Sequence, residues 1–257
     1  METGLVNKIL ISVGILAATV ASAAAADLPR KAPPMMAASP VYNWSGCYLG
    51  GNVGAGWLRV EQTRIGLVGG GVSNANFGSG TDADIIGGGQ VGCDYQFAPT
   101  WVVGLQGMVN FGDVTESHAN PTFAGFRDQS TLKHTVTATA RLGYLFTPQV
   151  MGYVKGGAAW ARLDYTNFTP AGTLSETSNE TRLGWTIGGG VEWMFAQGWS
   201  VFGEFNYLDF GTRDVTFTAA PGTVNAASIL RTRVSESQAL FGVNYKFNWG
   251  GPVVARY

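Results

Sequence analysis

The chain has 257 residues, a net charge of −1, 13% charged residues and 37 glycines. A balance this close to neutral removes the bulk electrostatic case for a nucleic-acid partner. So little charge beside so much glycine is unlike a soluble helical protein, whereas a barrel that meets lipid needs few charges and tolerates glycine where its wall curves.

Taken in chain order, the first element is a secretory signal over residues 1–26. Lys8 gives a short positive region, Ile9 to Val20 an apolar core, and Ala21 to Ala26 small residues for cleavage after Ala25 or Ala26. The apolar core is too short to span a bilayer comfortably, and no later run reads as a transmembrane helix. Residues 27–42, rich in proline and small side chains, predict an extended periplasmic tail with no core of its own.

From Trp44 onward the hydropathy has period two, and the pattern recurs eight times. Cys47, Leu49, Val53, Ala55 and Trp57 share one face of the first segment, opposite Tyr48, Gly50, Asn52 and Gly54. In the second, Ile85, Val91, Cys93, Tyr95 and Phe97 oppose Asp84, Gln90, Asp94 and Gln96. In the third, Trp101, Val103, Leu105, Val109 and Phe111 oppose Gln106 and Asn110. In the fourth, Val136, Ala138, Leu142, Tyr144 and Phe146 oppose Thr137, Thr139 and Arg141. The fifth, over roughly 150–165, is the least regular, with Val154, Ala158 and Trp160 opposite Lys155. The sixth sets Leu183, Trp185, Ile187, Val191, Trp193 and Phe195 against Thr186 and Glu192. The seventh sets Trp199, Val201, Phe205 and Tyr207 against Ser200, Glu204 and Asn206. The eighth sets Ala239, Phe241, Val243, Tyr245 and Phe247 against Glu236, Gln238, Asn244 and Lys246. Each segment reaches the roughly 9–11 residues a tilted strand needs to cross a membrane.

The links alternate. Short ones fall at 98–100, 147–149 and 196–198, and long ones at about 61–83, 113–130, 167–179 and 211–229. Short periplasmic turns and long extracellular loops are the asymmetry of an outer-membrane barrel, and an even strand number puts both termini on the periplasmic side. Trp44, Tyr95, Phe97, Trp101, Phe146, Phe195, Trp199 and Phe247 gather at the periplasmic strand ends, as an interfacial aromatic girdle requires. These features predict an all-β, eight-stranded, antiparallel up-and-down transmembrane barrel over residues 43–257.

The apolar face would meet lipid, so the polar face lines the lumen. That places Arg141, Lys155, Glu192, Glu204, Glu236 and Lys246 inside with Asp84, Asp94, Gln90 and Gln106. Buried charge must pair, and a central network of Arg141 and Lys155 with Glu192 and Glu204 is expected. Eight strands leave an interior just wide enough for side chains, and Met108 and Tyr48 also point inward. Cys47 and Cys93 fall near the periplasmic ends of neighbouring strands, where a cross-strand disulfide and two free thiols are both open.

Other motifs lead nowhere. Gly87-x-Gly89-x-x-Gly92 has the dinucleotide-binding spacing but continues as a strand rather than opening a helix. His118, expected in a long loop, and His134, at an outer strand end, are too far apart for a metal pattern, and no nucleophile–base–carboxylate set can be placed around either. No cofactor and no enzyme activity are expected. Tyr257 ends the chain with Ala255 and Val253 at the same parity, which favours the tail as the assembly signal over the segment around 245–249.

The residues ADLPRKAPP, WSGCYLGGNVGAGW, GGGQVGCDYQF, TATARLGYLF, GWTIGGGVEW, EFNYLDFG and NYKFNWGGPVVARY resemble the alphaproteobacterial immunogenic outer-membrane protein family, often labelled porin-like. The resemblance implies an eight-stranded barrel with surface-exposed loops and supplies no catalytic site. The expected function is that of a structural, surface-exposed outer-membrane protein contributing to envelope integrity and external contacts. The alternative is a narrow channel for ions or very small solutes, and a lipid-modifying barrel enzyme ranks third. Expected partners are outer-membrane lipids and lipopolysaccharide, with the barrel-assembly machinery during insertion; a homo-oligomer is left open.

Overall fold

The computed structural model of the protein describes residues 42–222 and 227–247. The signal segment, all of the proline-rich tail but Tyr42, and the terminal Tyr257 lie outside the described residues. The strands are β1 (Gly46–Leu67), β2 (Val72–Ala98), β3 (Trp101–Ala119), β4 (Arg127–Thr147), β5 (Val150–Phe168), β6 (Leu174–Ala196), β7 (Trp199–Thr216), the two-residue β8 (Thr218–Ala219) and β9 (Ser228–Phe247). Every pairing is antiparallel, and eight long strands form a closed ring because β9 pairs with both β7 and β1. Two-residue turns at 99–100, 148–149 and 197–198 close one end. Gly198, at φ +80°, supplies the left-handed residue that the last of these turns requires.

The strands are much longer than a membrane crossing needs, with 22 residues in β1 and 27 in β2. Most of the residues expected in long loops are therefore strand, and turns remain at 68–71, 120–126 and 169–173. The reason lies in which face is apolar. Along β1 the outward residues run Leu49, Val53, Trp57 and then Arg59 and Glu61, while the inward residues run Tyr48, Asn52 and then Leu58, Val60 and Gln62. The alternation continues without a break, but its sense inverts just beyond Trp57. The same inversion occurs on β9, where Leu230 and Val234 are fully buried and Arg231 and Arg233 face out.

Below the inversion, apolar side chains such as Ile85, Leu105, Phe146 and Val154 cover the outer wall, as lipid demands. Above it, the wall is built as a water-soluble protein would be. Pairing changes at the same level. The β2–β3 ladder stops at Gly87–Phe111 and the β6–β7 ladder at Trp185–Asp209, while β1–β2, β1–β9, β7–β9, β3–β4, β4–β5 and β5–β6 pair well beyond it. The ring thus opens along two seams into two four-stranded sheets, β2-β1-β9-β7 and β3-β4-β5-β6. Their facing sides bury one apolar cluster that includes Leu58, Val60, Leu132, Leu163, Leu208 and Leu230. Ten residues of β1 lie above Trp57; at ~3.3 Å per residue and a tilt of about 40° this zone stands roughly 25 Å high.

Two expectations fail for local reasons. Trp44 is not in the outer girdle but fully buried: it precedes β1, tucks beneath the barrel and donates its indole N–H to the Pro148 carbonyl at 3.0 Å. Asp84 is not in the lumen but exposed, because it lies just above Gly87 where β2 has parted from β3. Its carboxylate instead accepts the Ile85 amide N–H at 2.7 Å. Tyr95, Phe97, Trp101, Phe146, Phe195, Trp199 and Phe247 do face outward at the turn end.

Candidate functional site

From the turn end upward, the interior is filled in layers. Trp44, Val102, Leu145, Met151, Tyr153 and Met194 form an apolar floor. Directly above sits a charged layer of three cations and three carboxylates. Arg141 on β4 makes a two-pronged contact with Asp94 on β2, through Nε at 2.7 Å and Nη2, and its Nη1 donates to Glu192 on β6 at 3.0 Å. Lys246 on β9 completes Asp94 at 2.7 Å and also donates to the Trp44 carbonyl at 2.9 Å. Ser200 and Asn244 donate to the second oxygen of Glu192 at 2.6 and 3.1 Å. Lys155 on β5 pairs with Glu204 on β7 at 2.7 Å, and Tyr153 and Asn206 donate to the same carboxylate at 2.7 and 2.9 Å.

The four residues Arg141, Lys155, Glu192 and Glu204 thus all face inward and are buried, but they form two adjoining sets rather than one cluster. Arg141 is held by Asp94 and Glu192, and Lys155 by Glu204. The Arg141 guanidinium lies 4.9 and 5.1 Å from the Tyr48 and Tyr153 rings, which close the space beside it. Charge balance and these hydrogen bonds are what allow such a layer to be buried. The sequence gives each residue's face but not its partner: Lys246 and Asp94 meet across 152 positions because β9 closes beside β1.

An amide layer follows, in which Asn52 donates to Gln90 at 2.7 Å, Gln90 to Asn244 at 2.8 Å, and Gln238 to Thr135 and Glu236 at 3.1 and 3.0 Å. Above it lies the apolar cluster between the two sheets. On the outer wall, near the turn end, Cys47 and Cys93 stand directly opposite in the β1–β2 ladder and are joined by a disulfide.

At the far end, the two sheets enclose a mouth cavity of about 360 Å³. Its lining includes Arg64 of β1, Phe77 of β2, Phe123 of the 120–126 turn, and Asp128, Asn167 and Glu176 of β4, β5 and β6. Arg64 lies over the Phe123 and Phe77 rings at 4.5 and 5.2 Å. Beside the cavity, at the β2–β3 seam, His118 is not in a loop but near the end of β3. Its Nδ1 lies 2.8 Å from Glu116 and its Nε2 3.0 Å from the Phe77 carbonyl, with Asp128 at 3.9 Å. Glycines 78 and 80 of β2 make the room: a Cβ on Gly80 would collide with the Glu116 carboxylate.

The hydrogen bond that the His118 imidazole donates to the Glu116 carboxylate holds it above its ordinary pKa. Burial pushes the Asp128 carboxyl up to about 6 against the pull of His118. Sequence periodicity missed this region because register shifts at Phe111/Val114 and Leu132/His134 break the parity on which it depends.

The family pattern described as "Outer membrane protein beta-barrel domain" matches residues 13–247. The chain belongs to this family. As an outer-membrane β-barrel protein it is 28% identical over 249 residues to the "31 kDa outer-membrane immunogenic protein" of Brucella melitensis, covering 94% of this chain and 99% of the relative. It is 24% identical over 246 residues to the "25 kDa outer-membrane immunogenic protein" of Brucella abortus, covering 94% and 98%. Among solved structures, OprG of Pseudomonas aeruginosa aligns with a TM-score of 0.47 at 15% identity, covering 81% of this chain and all of the other.

Proposed function

We propose that this outer-membrane barrel is a structural, surface-exposed protein that contributes to envelope integrity and external contacts, with its short turns in the periplasm and its two-sheet zone outside the cell. The observation that carries this reading is the unbroken filling of the interior: an apolar floor, a balanced charged layer, an amide layer and an apolar core in succession. Side chains stacked in this way through the described interior favour the structural reading over a channel for hydrated solutes. The relatives named as immunogenic accord with a zone projecting beyond the membrane. Arg59 stands outward just above Trp57, and Arg233 and Arg231 follow further up, opposite Glu61 and Thr63, a ladder of cations that suits contact with the phosphate-bearing headgroups of lipopolysaccharide.

Conductance of the purified protein in planar bilayers tests the reading, alongside uptake of an apolar dye by cells lacking the gene. The expected results are no steady open level and raised dye uptake that the intact gene reverses. A reproducible pore, or unchanged uptake, would contradict it.

A further inference from the structure

The mouth cavity carries a feature that the structural role does not use. Asp128, Asn167 and Glu176 lie in one row across three adjacent strands, Asp128 in register with Asn167 and Asn167 with Glu176. All three are buried side chains that line the cavity. Partners directly opposite in an antiparallel ladder stand about 5 Å apart, so the row presents three oxygen-bearing groups within the reach of one small ligand. Asn167 donates its amide N–H to Glu176 at 3.0 Å, yet its own carbonyl oxygen, Oδ1, has no donor. Other buried side-chain atoms of the described residues, such as Oδ1 of Asn52 and Asn206, also lack a partner, but this one belongs to a residue that lines the mouth cavity, in register between two carboxylates. Asp128 receives Asn120 at 2.9 Å, and Glu176 receives the Ser228 backbone N–H at 2.7 Å; each carboxylate still has lone-pair capacity.

We infer that the mouth of the barrel is a binding site for a small organic cation, whose primary ammonium is held by Asp128, the open carbonyl oxygen of Asn167, and Glu176. An ammonium has three N–H donors and no acceptor, which matches three acceptors in a row. A neutral hydroxyl has one donor and cannot. Leu67 and Phe126 offer an apolar wall for the body of the ligand. The charged groups around Asp128 are His118 and Glu116 of β3, Glu176 of β6 and, across the cavity, Arg64 of β1. With its carboxyl pushed up to about 6, Asp128 is ionised above that pH and neutral below, so the site should weaken as pH falls through this range.

The test is calorimetric titration of the full chain in detergent micelles with 2-phenylethylammonium, and with 2-phenylethanol as its uncharged counterpart. Saturable binding of the ammonium is expected near pH 8, at least about ten-fold tighter than the alcohol and weaker by a similar factor near pH 5. Glu176→Gln should weaken it about ten-fold, and Asn167→Asp, which adds a charge at the open acceptor, should tighten it. Heat-modifiable mobility on gels reports that each variant is folded. If a Glu176 variant fails to fold, the Asn167→Asp result decides alone. Absence of saturable binding, equal affinity for ammonium and alcohol, or unchanged or weaker binding by Asn167→Asp would overturn the assignment. None of these results bears on conductance, so this site and the structural role stand or fall separately.

Discussion

At the residue scale the interior is governed by who compensates whom. Glu204 holds Lys155, and Lys155 is buried beneath the amide layer with Gln106 as its one other acceptor among the described residues. Glu204→Gln would leave that ammonium without a carboxylate and should cost about 3–5 kcal/mol. Glu61→Gln breaks an exposed pair with Arg59 and should cost at most about 1 kcal/mol. Denaturant unfolding of both variants checks this; equal losses would mean that the charged layer is hydrated. Glu180 would be a poor control, since it lies in β6 and binds Arg182 and Tyr165.

The mouth adds a pH dependence of determinate sign. Asp128 titrates near 6 in the fold against an ordinary 3.8, so between those values the folded protein holds a proton that the unfolded chain has lost, and stability falls as pH rises. His118 is also raised, so its contribution is complete below its ordinary 6.5 and is lost as pH rises through its folded value. Both act in the same direction. Amides in residues 118–128 should become less protected from hydrogen exchange between about pH 5 and about pH 8, after correction for intrinsic rates. Protection that holds constant or grows would contradict the assignment. In sequence, the inward faces of Arg141, Lys155, Glu192 and Glu204 could be read from unbroken parity. The mouth row could not, because the bulge at Leu132/His134 shifts Asp128 out of phase with Arg141.

At the element scale the lesson is that a membrane barrel strand and a soluble sandwich strand share one period and differ only in sense. β1 passes from one to the other between Trp57 and Leu58 with its alternation intact. The lipid-facing stretches were legible because apolar residues there recur on the outer face. The upper stretches read as loops because their outer residues are charged, although Leu58, Val60, Leu163 and Leu230 kept the beat on the inner face. Two variants probe the division. Leu163→Ala, in the sandwich core, should cost about 2–5 kcal/mol and make the upper zone sensitive to protease while the lower barrel keeps its heat-modifiable form. Loss of both together would show a single cooperative unit. Separately, amides of β3 above Phe111 that point toward β2, except Ser117, which bonds Asp82, should exchange faster than those that bond β4, since the β3–β4 ladder continues there and the β2–β3 ladder does not.

At the scale of the whole molecule, the described residues form a lipid-facing ring that continues upward as two packed sheets, with inward side chains layered between an apolar floor and a mouth cavity. Eight strands, their antiparallel order and their lipid side follow from the hydropathy pattern. The height of the projecting zone does not, since it depends on where the ladders part, which is set by contacts between strands far apart in sequence. The most direct test is the immersion depth of the outer wall along β1 in lipid bilayers. Nitroxide labels attached through Val53→Cys, Trp57→Cys and Glu61→Cys can be compared for collision with oxygen, which concentrates in lipid, and with a water-soluble nickel complex. Oxygen-dominated collisions are expected at position 53, a crossover near 57 and nickel-dominated collisions at 61. Lipid-like behaviour at 61 would contradict this.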